Sequence, residues 1–133
     1  MISEFISISV EKVREIHELI LQTEPALVGE HAGYLQGALN RVETAQFYEG
    51  VDDLFELAAH YARAIGQGHC FADANKRTGP VTSLTFLGLH GVAVERSPDL
   101  EEMMVDLTTK ELPLSDFATL LYSLANETEP DNA

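Results

Sequence analysis

Residues 69–78 read His-Cys-Phe-Ala-Asp-Ala-Asn-Lys-Arg-Thr, and the layout of the chain follows from where this stretch must lie. Gly66 and Gly68 break the helical pattern before it, and Val81 to Leu89 is apolar enough for a buried helix after it. The stretch is therefore a loop running into a helix, whose start is expected between Ala74 and Thr78. At such a start the first backbone N–H groups lack intrahelical partners, and the helix dipole favours an anion. Pro80 agrees, since in a first turn its missing N–H costs no hydrogen bond. An imidazole, a carboxylate, an amide and two adjacent cations fall between His69 and Arg77, in a chain with only 8 Lys and Arg. A solvated pair of cations is the bland alternative. The dipole opposes cations at a helix N-terminus unless an anion lies between them. The stretch reads as a place to hold phosphate.

Outward from it the pattern is helical, with no internal repeat. Val10, Val13, Ile16, Ile20 and Leu21 form a stripe that Ser9 can cap and that stops before Pro25. Val28 to Gly37, with Gly29, Gly33 and Gly37, reads as a loop or small hairpin. Leu39 to Tyr48 is moderately helical. Asp52 or Asp53 can cap a helix carrying Leu54, Phe55, Ala58, Tyr61, Ala62 and Ile65, ended by Gly66. Beyond the motif helix Gly91 is a stop, and Val92 to Val94 a candidate extended piece. Ser97-Pro98 opens a helix through Leu100, Met103, Met104 and Leu107. Ser115 can cap a last one with Phe117, Leu120, Leu121 and Leu124. The expected fold is all-α, one domain over residues 1–126, with 127–133 a polar tail.

Composition limits the function. A chain of 133 residues builds one core. A hydrophobic content of 45% and a mean hydropathy of −0.03 point to a soluble globular protein. No apolar run reaches the roughly 18 residues of a membrane span, and the N-terminus lacks the basic region of a secretory signal. Cys70 stands alone and has no internal disulfide partner. Cytoplasm is the expected location. A formal charge of −14 argues against direct nucleic-acid binding, and no membrane partner is expected. Lys76 and Arg77 still make a local positive focus, with no acid from Asn75 to His90, and such a focus suits a nucleotide.

The motif resembles that of the Fic/Doc family, whose pattern is His-x-Phe-x-Asp/Glu-Gly-Asn-Gly-Arg-x-x-Arg. His69, Phe71, Asp73, Asn75 and Arg77 match it. Ala74 and Lys76 replace the two glycines and Pro80 the final arginine, and Ala-Asn-Lys-Arg is the form of the Doc (death-on-curing) toxin branch. Segments at Asp53–Leu57 and Ser97–Leu100 extend the likeness to about residues 50–125. The resemblance implies a compact all-helical Fic/Doc fold with a small β-hairpin flap, placed here in the Gly29–Gly37 stretch, which clamps an extended target segment. It implies a toxin of a type II toxin–antitoxin module, controlled by a Phd-like antitoxin. Such a toxin is a protein kinase that transfers the γ-phosphate of ATP to a threonine of elongation factor Tu and so arrests translation. The alternative within the family is an AMP transferase acting on a protein hydroxyl. A third reading is a binding module whose activity has lapsed, against which stands the intact set of motif residues.

The residues suit that chemistry. A threonine hydroxyl needs a proton acceptor as the P–O bond forms, and an imidazole is the side chain best suited near neutrality; His69 is the expected general base. Asp73 beside a phosphate site would repel its ligand unless a cation intervened, which makes it the candidate Mg²⁺ ligand; its bland role is a helix cap. Asn75 can orient phosphate or metal, Ala74 lies on the same phosphate-binding turn, and Lys76 and Arg77 can neutralise charge on the transferring group. Phe71 is expected to anchor the loop in the core from an extended segment shared with His69, and Cys70 to be an inert thiol. His17, His31, His60 and His90 read as ordinary surface or core residues. An inhibitory-helix motif is met only by near misses such as Ser123–Glu127.

Overall fold

The computed structural model describes residues 5–23, 26–94, 97–109 and 112–128, with side chains up to Ala125. Six helices follow one another: α1 (Val10–Thr23), α2 (Tyr34–Phe47), α3 (Leu54–Gly66), α4 (Asn75–Leu89), α5 (Pro98–Thr109) and α6 (Leu114–Thr128). The all-α expectation holds. Asp53 caps α3 as its position suggests, its Oδ1 accepting from the N–H groups of Phe55 and Glu56 at 2.8 and 2.9 Å. Ser9 caps α1 through the Lys12 N–H, and Ser97 caps α5 through that of Leu100. The last helix begins at Leu114, one residue before the expected cap Ser115, with the Pro113 carbonyl accepting from Phe117. Pro25 and the tail beyond Thr128 lie outside the described residues.

Helix α3 is the centre of the molecule. It packs against α4, α2, α6 and α5, while α1 and α5 flank α4. A helix surrounded in this way must be apolar nearly all round and thin, and α3 buries Leu57, Ala58, Ala59, Tyr61, Ala62, Ala64 and Ile65. Its partner α4 is an unlikely helix by propensity alone, with Thr78, Gly79, Pro80, Thr82 and Ser83 in its interior. The hydroxyls of Thr78 and Thr82 donate to the carbonyls of Ala74 and Thr78, four residues back, so they are buried at little polar cost. Gly79 sets the distance between the two helices. A Cβ there would overlap the Ala62 carbonyl oxygen and lie 2.7 Å from the Gly66 nitrogen. Packing, rather than propensity, makes α4 a helix.

Two expectations are corrected. Pro80 is the sixth residue of α4, beyond the first turn, so its missing N–H leaves the helix one hydrogen bond short, toward the Lys76 carbonyl. Among the described residues there is no β-hairpin flap. Gly37 lies inside α2, and the segment before α2 makes a single antiparallel bridge, Glu30 with Phe71. Residues 92–94 join no strand.

The close crossing of α3 and α4 yields a paired prediction within one helix. Gly79→Ala should lower stability by about 2–3 kcal/mol or more, because backbone cannot move aside as a side chain can. Gly88→Ala, where a Cβ meets nothing within 4 Å, should raise it by roughly 0.5–1 kcal/mol. Urea unfolding of the two variants should shift the midpoint in opposite directions.

Candidate active site

The motif loop is held from both sides. Asn75, the first residue of α4, turns its amide back onto the loop: Oδ1 accepts from the Phe71 N–H at 2.9 Å and Nδ2 donates to the Phe71 carbonyl at 2.8 Å. On the other edge the segment before α2 pairs with the same loop. The His31 N–H donates to the Cys70 carbonyl at 2.8 Å, and the Ala72 N–H to that of Gly29 at 3.0 Å. Arg14 of α1 fixes this segment through a two-pronged contact with Glu30, 2.8 and 2.9 Å. The exposed pair contributes modestly to stability, and its hydrogen bonds hold the Glu30 carboxyl below its ordinary range.

Two histidines support the loop that sequence reading gave no role. His17 is buried on α1, stacks on Phe71 with ring centroids 3.7 Å apart and planes within 7°, and donates from Nε2 to the Asp73 carbonyl at 3.0 Å. His31 donates from Nδ1 to the His69 carbonyl at 2.7 Å. The signal for His17 was its place on the buried face of α1, between Val13 and Ile20. For His31 the sequence offered none.

The consequence is a division of inward and outward groups. Phe71 is buried at 3% exposure, the core anchor expected of it. Cys70 is fully buried, and burial pushes its thiol up to about 11, which suits an inert role. His69 is exposed, and its backbone is left-handed with φ 53° rather than the expected extended form. That turn aims the imidazole outward, where it makes no hydrogen bond or ring contact among the described residues. Ala74 is also left-handed, φ 66°, and no side chain caps α4. The N–H groups of Asn75 and Lys76 have no partner among the described residues and are open to a ligand. A non-glycine residue at positive φ is uncommon, and two so close together mark strain kept at a working site.

His69, Asp73, Ala74, Asn75, Lys76 and Arg77 all line one cleft of about 360 Å³ at the N-terminus of α4. Asp73 is exposed. Its Oδ1 accepts from the Ala74 N–H at 2.8 Å and its Oδ2 from that of Leu27 at 3.1 Å. These bonds, the Leu27 one foremost, hold its carboxyl below the ordinary range. Each oxygen keeps a further lone pair for a cation. Lys76 is exposed, with no carboxylate within ion-pair distance among the described residues. Arg77 is half-buried against α5, its Nη2 3.2 Å from Glu102 and its Nη1 3.8 Å from Glu101. Asn75 therefore shapes the cleft with an amide already spent on Phe71, and Arg77 borders it while tied to two carboxylates.

The sequence agrees with this architecture well beyond the motif. The profile of the Fic/DOC family matches residues 7–87, taking in α1 and the segment that pairs with the motif. Over 123 residues the chain is 36% identical to the Protein kinase doc of Escherichia phage P1, a match covering 92% of this chain and 98% of that protein. The N-terminal third is part of the likeness, as it must be if α1 and its neighbouring segment hold the site loop. With the helical core, the glycine-close crossing of α3 and α4 and the histidine loop in one continuous match, the chain belongs to the Fic/DOC family.

Proposed function

We propose that this protein is a Doc-type toxin kinase, which moves the γ-phosphate of ATP onto a threonine hydroxyl of a translation factor. The observation that carries the reading is the pairing, on one cleft, of an unengaged imidazole at His69 with an unpaired lysine at the uncapped start of α4. The name of the phage relative, a protein kinase, supports the same reading. Resemblance to the Doc branch further supports elongation factor Tu as the acceptor, a Phd-like antitoxin as the controlling partner and a cytoplasmic setting.

The phosphates lie at the α4 N-terminus, where the free N–H groups of Asn75 and Lys76 and the helix dipole attract them. Lys76 brings a mobile cation to the terminal phosphate or its neighbour, and Arg77 adds positive potential from the α5 seam. As the threonine oxygen bonds to the γ-phosphorus, the bond from that phosphorus to the bridging oxygen breaks. The hydroxyl proton passes to His69, and ADP leaves with the bonding pair. Asp73 is the residue to hold Mg²⁺. Among the described residues no three His, Cys, Asp or Glu side chains cluster into a closed cage. One carboxylate with lone pairs to spare, beside phosphate oxygens and water, fits the habit of Mg²⁺. When bound, the ion neutralises phosphate charge.

Mass spectrometry of a bacterial lysate incubated with the protein and magnesium ATP tests the proposal. Phosphothreonine on elongation factor Tu, absent with His69→Ala, is the expected product; AMP on that protein would instead support the family's other activity. His69→Ala should lower kcat by about 10²–10⁴-fold, with ATP affinity and folding preserved, because the base acts in the transition state. A folded variant that transfers at near wild-type rate would remove His69 from the mechanism. Lys76→Gly should lower kcat/KM by roughly 10²-fold, the scale of one transition-state charge contact. An unchanged rate would show that the helix N-terminus alone suffices.

A further inference from the structure

A cavity of about 680 Å³ is the neighbour of the α4 cleft across His69. It lies between α2 and α3, lined by Tyr34 and Arg41 of the one, His60 and Arg63 of the other, and Gln67. Among the described residues His69 is the one that lines both cavities. Arg41 reaches the edge of the motif: its Nη2 lies 3.1 Å from the point a Cβ on Gly68, the residue before His69, would occupy.

Charge singles out the same place. The chain has 22 acids against 8 bases, and the bases among the described residues are Lys12, Arg14, Arg41, Arg63, Lys76 and Arg77. Lys12 pairs with Glu15, Arg14 with Glu30, and Arg77 with Glu101 and Glu102. Arg41, Arg63 and Lys76 have no carboxylate within 4 Å among the described residues, and each lines one of the two cavities that meet at His69. Where acids are in such excess, cations left without one are available to a ligand. His60 also lines the cavity, and burial, with Arg63 adding to it, pushes its imidazole below the ordinary value.

An in-line transfer needs the acceptor oxygen and the leaving group on opposite sides of phosphorus, with the base at the acceptor. With the donor phosphates in the α4 cleft, the acceptor approaches His69 from the α2–α3 cavity. We infer that this cavity docks the acceptor segment, and that Arg41 and Arg63 select a protein hydroxyl with an aspartate or glutamate side chain close by. The inference rests on the phosphoryl-transfer reading for the direction of approach; its specificity is a separate property, read by binding. Arginine suits the task because its planar fork matches a carboxylate.

The test is fluorescence anisotropy of three labelled threonine peptides, flanked by Asp, Asn or Lys, on the full chain without ATP. Wild type should bind the Asp peptide roughly tenfold or more tightly than the Asn peptide, and Arg41→Gln or Arg63→Gln should each reduce that preference by about fivefold. Arg41→Glu with Arg63→Glu should turn the preference toward the Lys peptide. Arg41→Lys and Arg63→Lys, which keep charge and bulk, should retain part of it and so separate recognition from misfolding. ATP affinity, titrated separately, should stay the same in all variants. Equal binding of the Asp and Asn peptides by wild type would overturn the inference. So would arginine variants that lose ATP affinity while the peptide preference persists, because the cavity would then hold the nucleotide. Transfer of AMP to a bound Asp peptide would overturn the kinase reading and leave the acceptor dock supported.

Discussion

Two hydrogen bonds from one side-chain amide hold the site together. The Asn75 carboxamide offers a donor and an acceptor in the same arrangement as a peptide group, and it pairs with the N–H and carbonyl of Phe71 as a neighbouring strand would. The Gly29–His31 segment pairs with the opposite edge of the same loop. Between them the backbone polar groups of a loop without regular structure are satisfied, a requirement that leaving buried donors unpaired would make expensive. His17, stacked on Phe71, closes the arrangement from α1. The loop is then stiff enough to keep His69 and Ala74 at positive φ, which turns the imidazole outward and leaves the start of α4 uncapped.

Behind the loop stands the crossing of α3 and α4. Gly79 lets the two backbones touch, so the end of α3 and the start of α4 are fixed relative to each other, and the loop between them spans a set distance. The electrostatics follow the same plan. Half of the described lysines and arginines are tied to carboxylates, and the other half gather around His69. An acidic chain can in this way present a confined positive region to a polyanion without becoming a general binder of nucleic acid.

What the sequence made legible was local. The Asp53 cap, the start of α4 near Ala74, the buried Phe71 and the buried Cys70 follow from neighbouring residues, and the structure agrees with each. His69, Asp73, Ala74, Asn75, Lys76 and Arg77 line one cleft, while Phe71 turns into the core. What escaped depends on distant partners. His17 meets Asp73, and Arg77 meets Glu102, across stretches of chain that carry no pattern linking them. The glycines of residues 29–37 were ambiguous between loop and hairpin; the answer came from Phe71, which offers the edge that Glu30 bridges. Pro80 misled because a proline inside a helix is tolerated when packing against α3 outweighs the lost hydrogen bond.

The central claim concerns which phosphorus is attacked, and isotopic label answers it directly. The protein and its His69→Ala variant would be incubated in parallel with purified elongation factor Tu and magnesium ATP radiolabelled at either the α- or the γ-phosphorus. The account predicts protein-bound label from γ-labelled ATP alone, present with wild type and lost with the variant. Label carried onto the acceptor from α-labelled ATP would contradict it.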